Sequence, residues 1–259
     1  MGSAVVQGRL WGARAGDWAE RQEATARPMY EGALDALGPL AGRSLLDAGC
    51  GAGLALTLAA ERGAMVSGVD AAAGLLTVAR DRLPGADLRE GDLEAIPFPD
   101  GAFDVVTAFN SVQYAADPVA ALRELRRVCA PAGRVVIGQW SDPAQCETAA
   151  MFAALRRVAP PPADAPARLP LDGAGQLEAR LVEAGLTPLA WGDAACPFAY
   201  PSLEDAWLAQ RSAGPIQAVV AAAGEAAARE AVLATFRPSA QPDGRVVQRN
   251  VFRWVVSRP

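Results

Sequence analysis

Leu45-Leu46-Asp47-Ala48-Gly49-Cys50-Gly51-Ala52-Gly53 decides the fold. An apolar run ends in an acid, three glycines then alternate with small residues, and a helix-compatible segment follows. This is the pattern of a parallel strand feeding a tight turn into a helix. Glycine in such a turn lets a ligand approach the backbone and leaves N–H groups to face it. Working outward, residues 44 to 140 alternate strand-like and helical segments, the signature of a parallel sheet covered on both faces. Strands are predicted at Ser44 to Ala48, Ala64 to Val69, Asp87 to Glu90, Phe103 to Phe109 and Gly133 to Trp140, with helices near 53 to 62, 72 to 82 and 117 to 129. Asp117-Pro118 opens the last helix as a cap followed by Pro, and Leu122, Leu125 and Val128 then share one face. Pro131-Ala132-Gly133 is predicted to turn into the next strand.

Two regions flank this core. Asp17 to Leu37 predicts one or two helices broken at Pro28. After the core, Pro160, Pro161, Pro162, Pro166 and Pro170 mark an extended connection, Gly173 to Ala184 a helix and Leu186 to Cys196 a strand. Val219 to Phe236 reads as an Ala-rich helix and Val246 to Val256 as a closing strand. The stretch from Cys196 to Gln241 is too long for an ordinary loop and too apolar for disorder, so it reads as a helical cap over the sheet's C-terminal edge.

Composition narrows the function classes. The 259 residues are 51% hydrophobic, ample for a large core, and 24 basic against 29 acidic residues leave a net charge of −5. Every basic residue is Arg, interleaved with Asp and Glu as on solvated helix faces, unlike a duplex-binding surface. The charge-free stretches Ala48 to Ala60 and Ser212 to Gly224 fall short of the ~20 apolar residues a bilayer requires. The N-terminus shows neither a basic n-region nor an apolar h-region. No nucleic acid, no membrane and a cytoplasmic location are therefore expected. Histidine is absent, which removes Ser-His-Asp and Cys-His catalysis and HExxH zinc sites. Cys50, Cys129, Cys146 and Cys196 form no CxxC pair; buried reduced thiols and no metal are expected.

A GxGxxG dinucleotide fingerprint counted from Gly49 fails at Leu54, and a P-loop fails for want of lysine. The loop reads instead D-x-G-x-G-x-G. Three elements follow in order: Val66-Ser67-Gly68-Val69-Asp70, Glu90-Gly91-Asp92-Leu93-Glu94-Ala95-Ile96-Pro97-Phe98, and Phe103-Asp104-Val105-Val106-Thr107-Ala108-Phe109-Asn110. Alone, the glycines make a turn, Asp70 caps a helix and Asp92 sits in a turn. In order, each at the C-terminal end of its strand, they point to a ligand crevice. Together the four elements resemble the class I S-adenosylmethionine-dependent methyltransferases, particularly the ubiquinone-biosynthesis-like small-molecule branch, over roughly residues 44 to 140.

The resemblance implies an α/β, Rossmann-like, mainly parallel seven-stranded sheet with helices on both faces. One domain over 1–259 is expected, with a core of about 40–196 and 244–259 and helical caps at 1–37 and 197–241. It implies S-adenosylmethionine as cofactor and S-adenosylhomocysteine as product. Asp47, Gly49, Cys50, Gly51 and Gly53 would form the cofactor loop, Asp70 and Ala71 would meet the ribose, Asp92 and Leu93 the adenine, and Asn110 the methionine end. A carboxylate at the end of the second strand can accept both ribose hydroxyls.

The chain departs from the family after the fourth strand. Many relatives carry one or two histidines there, whereas this chain reads Asn110-Ser111-Val112-Gln113-Tyr114. Gln113 does not accept a proton at neutral pH, and Tyr114, with a reference pKa of ~10, is a weak base. Both are read as positioning residues, with plain packing as the alternative. The expected activity is methyl transfer by in-line displacement to a small, partly apolar or aromatic acceptor, without a histidine base; alignment alone contributes ~7 to 11 kcal/mol. Trp11, Trp18 and Trp140 are candidate pocket walls, with core packing as their alternative. The rival reading is an adenosylmethionine-binding protein of the same fold with other chemistry or a regulatory role. Acceptor, methylated atom and oligomeric state stay open.

Overall fold

The computed structural model describes residues 3–160 and 175–259. Three helices precede the sheet: α1 (Ala4–Gly12), α2 (Ala15–Arg21) and α3 (Arg27–Ala36). The break falls earlier than expected. It is a 3-10 turn over Glu23–Ala26, and Pro28 sits in the first turn of α3, where its missing N–H has no helical partner to lose. Helix α1 falls within the helical cap expected at 1–37, although its own residues carry little apolar periodicity: none is fully buried and Val5 and Val6 point to solvent.

The core then runs β1 (Ser44–Ala48), α4 (Leu54–Glu61), β2 (Met65–Asp70), α5 (Ala73–Arg82), β3 (Asp87–Glu90), β4 (Phe103–Phe109), α6 (Pro118–Val128) and β5 (Cys129–Trp140). The two-residue period of the strands sorts the side chains. Leu45, Val105 and Val136 join Leu56 and Leu76 on one face, while Leu46, Val106 and Val135 join Leu122 and Leu125 on the other. Asp117 caps α6, accepting from the Val119 and Ala120 N–H groups at 2.9 and 3.0 Å. Pro131-Ala132-Gly133 is not the expected turn that leads into the strand. The chain is already in β5 at Cys129, and a register shift between Phe103↔Cys129 and Val105↔Arg134 absorbs the turn as a bulge.

Beyond β5 come α7 (Ala149–Val158), α8 (Gln176–Glu183), β6 (Thr187–Ala195), β7 (Phe198–Tyr200), α9 (Leu203–Gln210), α10 (Gly214–Ala223), α11 (Glu225–Phe236), β8 (Val246–Gln248) and β9 (Val251–Arg258). The connection read at Pro161, Pro162, Pro166 and Pro170, and the helix start read at Gly173, lie outside the described residues. The Ala-rich helix read from Val219 is two helices parted at Gly224. The closing strand read from Val246 is also two. Strand β8 pairs with β7 in a separate ribbon, and the chain then leaves the sheet at Arg249 and Asn250. There the Thr148 N–H donates to Asn250 Oδ1 at 3.2 Å and the Cys196 N–H to Asn250 O at 2.8 Å. Those partners lie far away in sequence, so no local pattern carries them.

The main sheet has the order β3-β2-β1-β4-β5-β9-β6, with β1 to β5 parallel and β9 antiparallel to both neighbours. It is the mainly parallel, seven-stranded, Rossmann-like sheet expected. The order reverses between β1 and β4, which opens a crevice at the strands' C-terminal ends. Residues from α1 to α3 and from α9 and α10 border that crevice. All four cysteines are buried and none is in a disulfide. Among the described residues no helix is long and apolar enough to cross a membrane.

Close approach holds α1 in place: a Cβ at Gly8 would lie 2.2 Å from Ala71 O. Gly8→Val is expected to lift α1 from the core. Amide exchange across residues 4–12 should then accelerate about tenfold or more while β1 and β4 stay protected. Unchanged exchange in α1 would show that this contact does not hold it.

Candidate functional site

Strand β1 delivers Asp47 and then turns. The Gly49 and Cys50 N–H groups donate to Val69 O at 2.7 and 3.1 Å. The Gly51 N–H donates to Asp70 Oδ2 and the Ala72 N–H to Asp70 Oδ1, both at 2.8 Å. Asp70 therefore anchors the glycine loop to the end of β2, a role the sequence reading did not include. The Ala71 N–H also stabilises this carboxylate, whose two oxygens together keep acceptor capacity for a ligand. Gly49 is obligatory, because its φ is +80° and an added Cβ would lie 2.3 Å from Ser111 Cβ. At Gly51 an added Cβ meets nothing nearer than 3.9 Å, so that side of the loop is open.

Asp47, Gly49, Cys50, Gly51, Asp70 and Ala71 border one cavity, together with Asp92, Leu93, Asn110 and Tyr114. Trp11 and Trp18 border it too, packed edge-on with centroids 4.9 Å apart, and Trp11 meets Tyr114 at 5.4 Å. Trp140 belongs to a second aromatic group, 4.3 Å from Phe252 and 5.7 Å from Phe152 and Phe198. Two expected site residues do not border the cavity. Gly53 is the left-handed N-cap of α4 at φ +86°, and an added Cβ would come within 3.1 Å of Ala79 Cβ. Its glycine serves the packing of α4 on α5. Gln113 lies in the 3-10 turn Val112–Tyr114, whose geometry sends only Tyr114 to the cavity wall.

Glu23 was missed. It is 4% exposed, and its Oε1 accepts from the Leu54 N–H at 3.2 Å, filling the N-terminus of α4. Its Oε2 pairs with Arg82, whose guanidinium also donates to Ala52 O at 2.9 Å and Ala19 O at 3.2 Å. Burial raises the Glu23 carboxyl's pKa and Arg82 opposes the rise. Glu23 stands 31 residues before Leu54 and 59 before Arg82, so the sequence offers no local signal for it.

The charged side chains bordering the cavity are Glu23, Asp47, Asp70 and Asp92, and no Arg is among its described lining residues. Asp47 is 2% exposed and accepts from Thr107 Oγ1 at 2.7 Å. Burial pushes its carboxyl up to about 7, with Asp70 and Glu23 adding and the Thr107 hydrogen bond opposing. Burial also raises Asp70 against the N–H groups that hold it. The Cys50 thiol is pushed well above its usual range by burial and by Asp70, so it stays protonated rather than nucleophilic. Asn110 has φ +51°, the one positive-φ residue other than glycine among those described. Its N–H donates to Gly138 O at 2.7 Å, and its buried Oδ1 has no partner. A strained residue thus offers an orphaned acceptor at a cavity rich in carboxylates. Such a surface favours a cation bearing N–H and O–H donors. No group of three His, Cys, Asp or Glu among the described residues is placed to hold a metal ion.

Comparison with known proteins follows this geometry. Residues 46–137 match the methyltransferase domain family. A malonyl-acyl-carrier-protein O-methyltransferase of Serratia marcescens is 43% identical over 95 residues, 37% of each chain. A demethylmenaquinone methyltransferase of Renibacterium salmoninarum is 36% identical over 110 residues, 42% of this chain and 46% of that one. The chain matches less than half the length of either relative. Among solved structures, the cyclase SpnF aligns with a TM-score of 0.58 at 21% identity over 92% of this chain and 81% of its own. The geranyl diphosphate C-methyltransferase of Streptomyces coelicolor aligns with a TM-score of 0.54 at 17% identity over 95% and 83%. At such identities the likeness speaks for the fold.

Asp47 makes stability depend on pH with a defined sign. Its folded pKa of about 7 lies above its ordinary 3.8, so the folded state holds a proton that the unfolded chain has lost. The contribution is complete below about pH 4 and disappears as pH rises through about 7, a loss on the order of 4 kcal/mol. Urea unfolding between pH 5 and pH 8 should show stability falling in the parent protein relative to Asp47→Asn. Parallel pH profiles would contradict the assignment.

Proposed function

Given that residues 46–137 carry a methyltransferase domain, we propose that this protein transfers the methyl group of S-adenosylmethionine to a small, partly apolar or aromatic acceptor. One observation carries the reading. The glycine loop, three strand-end carboxylates and the orphaned Asn110 Oδ1 converge on a cavity that continues beneath two helical caps. The residues fit the cofactor's chemistry, since a sulfonium and an α-ammonium meet carboxylates and no opposing cation. Bound there, S-adenosylmethionine supplies an electrophilic methyl group.

The chain's own residues bind, orient and shield. Asp70 holds the loop and accepts from ribose hydroxyls, Asp92 with the Leu93 backbone addresses the adenine, and Asn110 with Asp47 receives the ammonium end. Gly51 leaves its side of the loop open for that approach. The caps at residues 3–37 and 197–241 form one unit with the core and exclude water from the transfer. No histidine is available as base. Tyr114 borders the cavity as a positioning residue, and in-line alignment with ionisation of the acceptor drives the step.

Asp70→Asn is expected to weaken S-adenosylmethionine binding by about 10- to 150-fold in calorimetry, the loss of a charge-assisted pair. Unchanged affinity would remove Asp70 from the site. Transfer from methyl-labelled cofactor to an acceptor panel tests the activity itself; tight binding with no transfer to any acceptor would favour the other chemistry or regulatory role on this fold. For acceptors of different pKa, the alkaline limb of single-turnover rates should move with the acceptor. A limb fixed across the series and abolished by Tyr114→Phe would make Tyr114 the base.

A further inference from the structure

We propose that Gln22 and Gln210 form an oriented donor–acceptor pair that selects an uncharged, planar acceptor carrying a carbonyl beside an N–H or O–H. The inference rests on the cavity being the cofactor-and-acceptor site of the proposed reaction, and it names the substrate class.

Gln22 follows α2 in the N-terminal cap, Gln210 ends α9 in the late cap, and both border the cavity. They are 4% and 2% exposed. A third buried side chain fixes both amides: Tyr200 Oη donates to Gln22 Oε1 at 2.6 Å and accepts from Gln210 Nε2 at 2.8 Å. With those atoms engaged, Gln22 is left with its Nε2 donor and Gln210 with its Oε1 acceptor. No hydrogen bond among the described residues engages either atom, and neither is sealed away from space as an unpartnered buried atom. Burial keeps the Tyr200 hydroxyl protonated far above neutral pH, so the orientation of the pair does not titrate.

The surroundings set the rest of the specificity. Tyr30, Phe109, Trp140 and Phe198 supply flat apolar walls, which suit a ring system. An acceptor bearing a fixed carboxylate or phosphate would enter among carboxylates with no described cation at the wall, and its charge would stay unpaired. A neutral acceptor enters uncharged and gives up its N–H or O–H proton only for the transfer. A neutral ring with one hydrogen-bond acceptor and one donor satisfies both amide ends. A ring lacking them leaves two buried polar groups without partners, the arrangement that gives hydrogen-bonding sites their discrimination.

Three probes of similar size separate these properties: 2-quinolone, with C=O and N–H; naphthalene, with neither; and quinoline-2-carboxylate, an anion. Equilibrium dialysis with the full chain, with and without S-adenosylhomocysteine, is expected to give 2-quinolone about tenfold tighter binding than naphthalene, with the carboxylate weakest. Gln22→Leu and Gln210→Leu should each shrink that preference to about threefold or less while retaining naphthalene. Tyr200→Phe preserves volume, frees both amides and should do the same, so it decides the matter if a Gln variant fails to fold by circular dichroism. The proposal is overturned if 2-quinolone has no advantage, if its advantage survives Tyr200→Phe and whichever Gln variants fold, or if the carboxylate binds best. A Gln-dependent preference in a protein that calorimetry shows does not bind S-adenosylmethionine would remove the methyl-transfer reading and leave the pair standing.

Discussion

The enclosure depends on the Glu23 carboxylate, held between the first N–H of α4 and the Arg82 guanidinium. A lone carboxylate at that depth would cost several kcal/mol, and removing either partner would leave an uncompensated charge. Arg82 offsets the burial and extends the clamp to Ala52 O on the glycine loop and Ala19 O on α2. One ion pair therefore joins the N-terminal cap, the loop and α5. The loop's shape in turn rests on Asp70, whose two oxygens hold the Gly51 and Ala72 N–H groups.

Crowding four acids at one cavity has an electrostatic consequence. Burial, with Asp70 and Glu23 adding to it, outweighs the hydrogen bond from Thr107, so Asp47 retains its proton to about pH 7. A cation arriving in the cavity favours the ionised form, so binding and proton release at Asp47 are coupled. In a chain without histidine, this carboxyl takes the place in the titration range usually held by imidazole. The same acidity discriminates against anionic ligands.

The two caps meet through polar contacts as well as packing. Asp17 of α2 faces Arg211 just past α9 at 3.5 Å, Arg21 faces Asp205 at 3.8 Å, and Tyr200 bridges Gln22 to Gln210. The first two pairs are partly exposed and individually weak. The Tyr200 bridge is buried and directional. It joins the segment after α2 to β7 and α9, so in the proposed reaction the arrangement that encloses the acceptor is also the one that orients its polar contacts.

The sequence by itself determined the sheet and the loop. Alternating apolar runs placed β1 to β4 nearly to the residue, and D-x-G-x-G-x-G followed by acids at 70 and 92 located the crevice, because a parallel strand, its turn and its helix are encoded in one continuous run from Ser44 to Glu61. Local reading gave way wherever a distant partner decides the outcome. Asn250 interrupts the closing strand to serve Thr148 and Cys196; Pro131-Ala132-Gly133 becomes a bulge because β4 keeps pairing through it; Gly53 answers to Ala79 rather than to the cavity. Glu23, Gln22 and Gln210 were invisible for the same reason. Their meaning comes from groups 10 to 178 residues away, brought together only when the two caps close on the sheet, and a buried hydrogen bond leaves no period in the sequence to announce it.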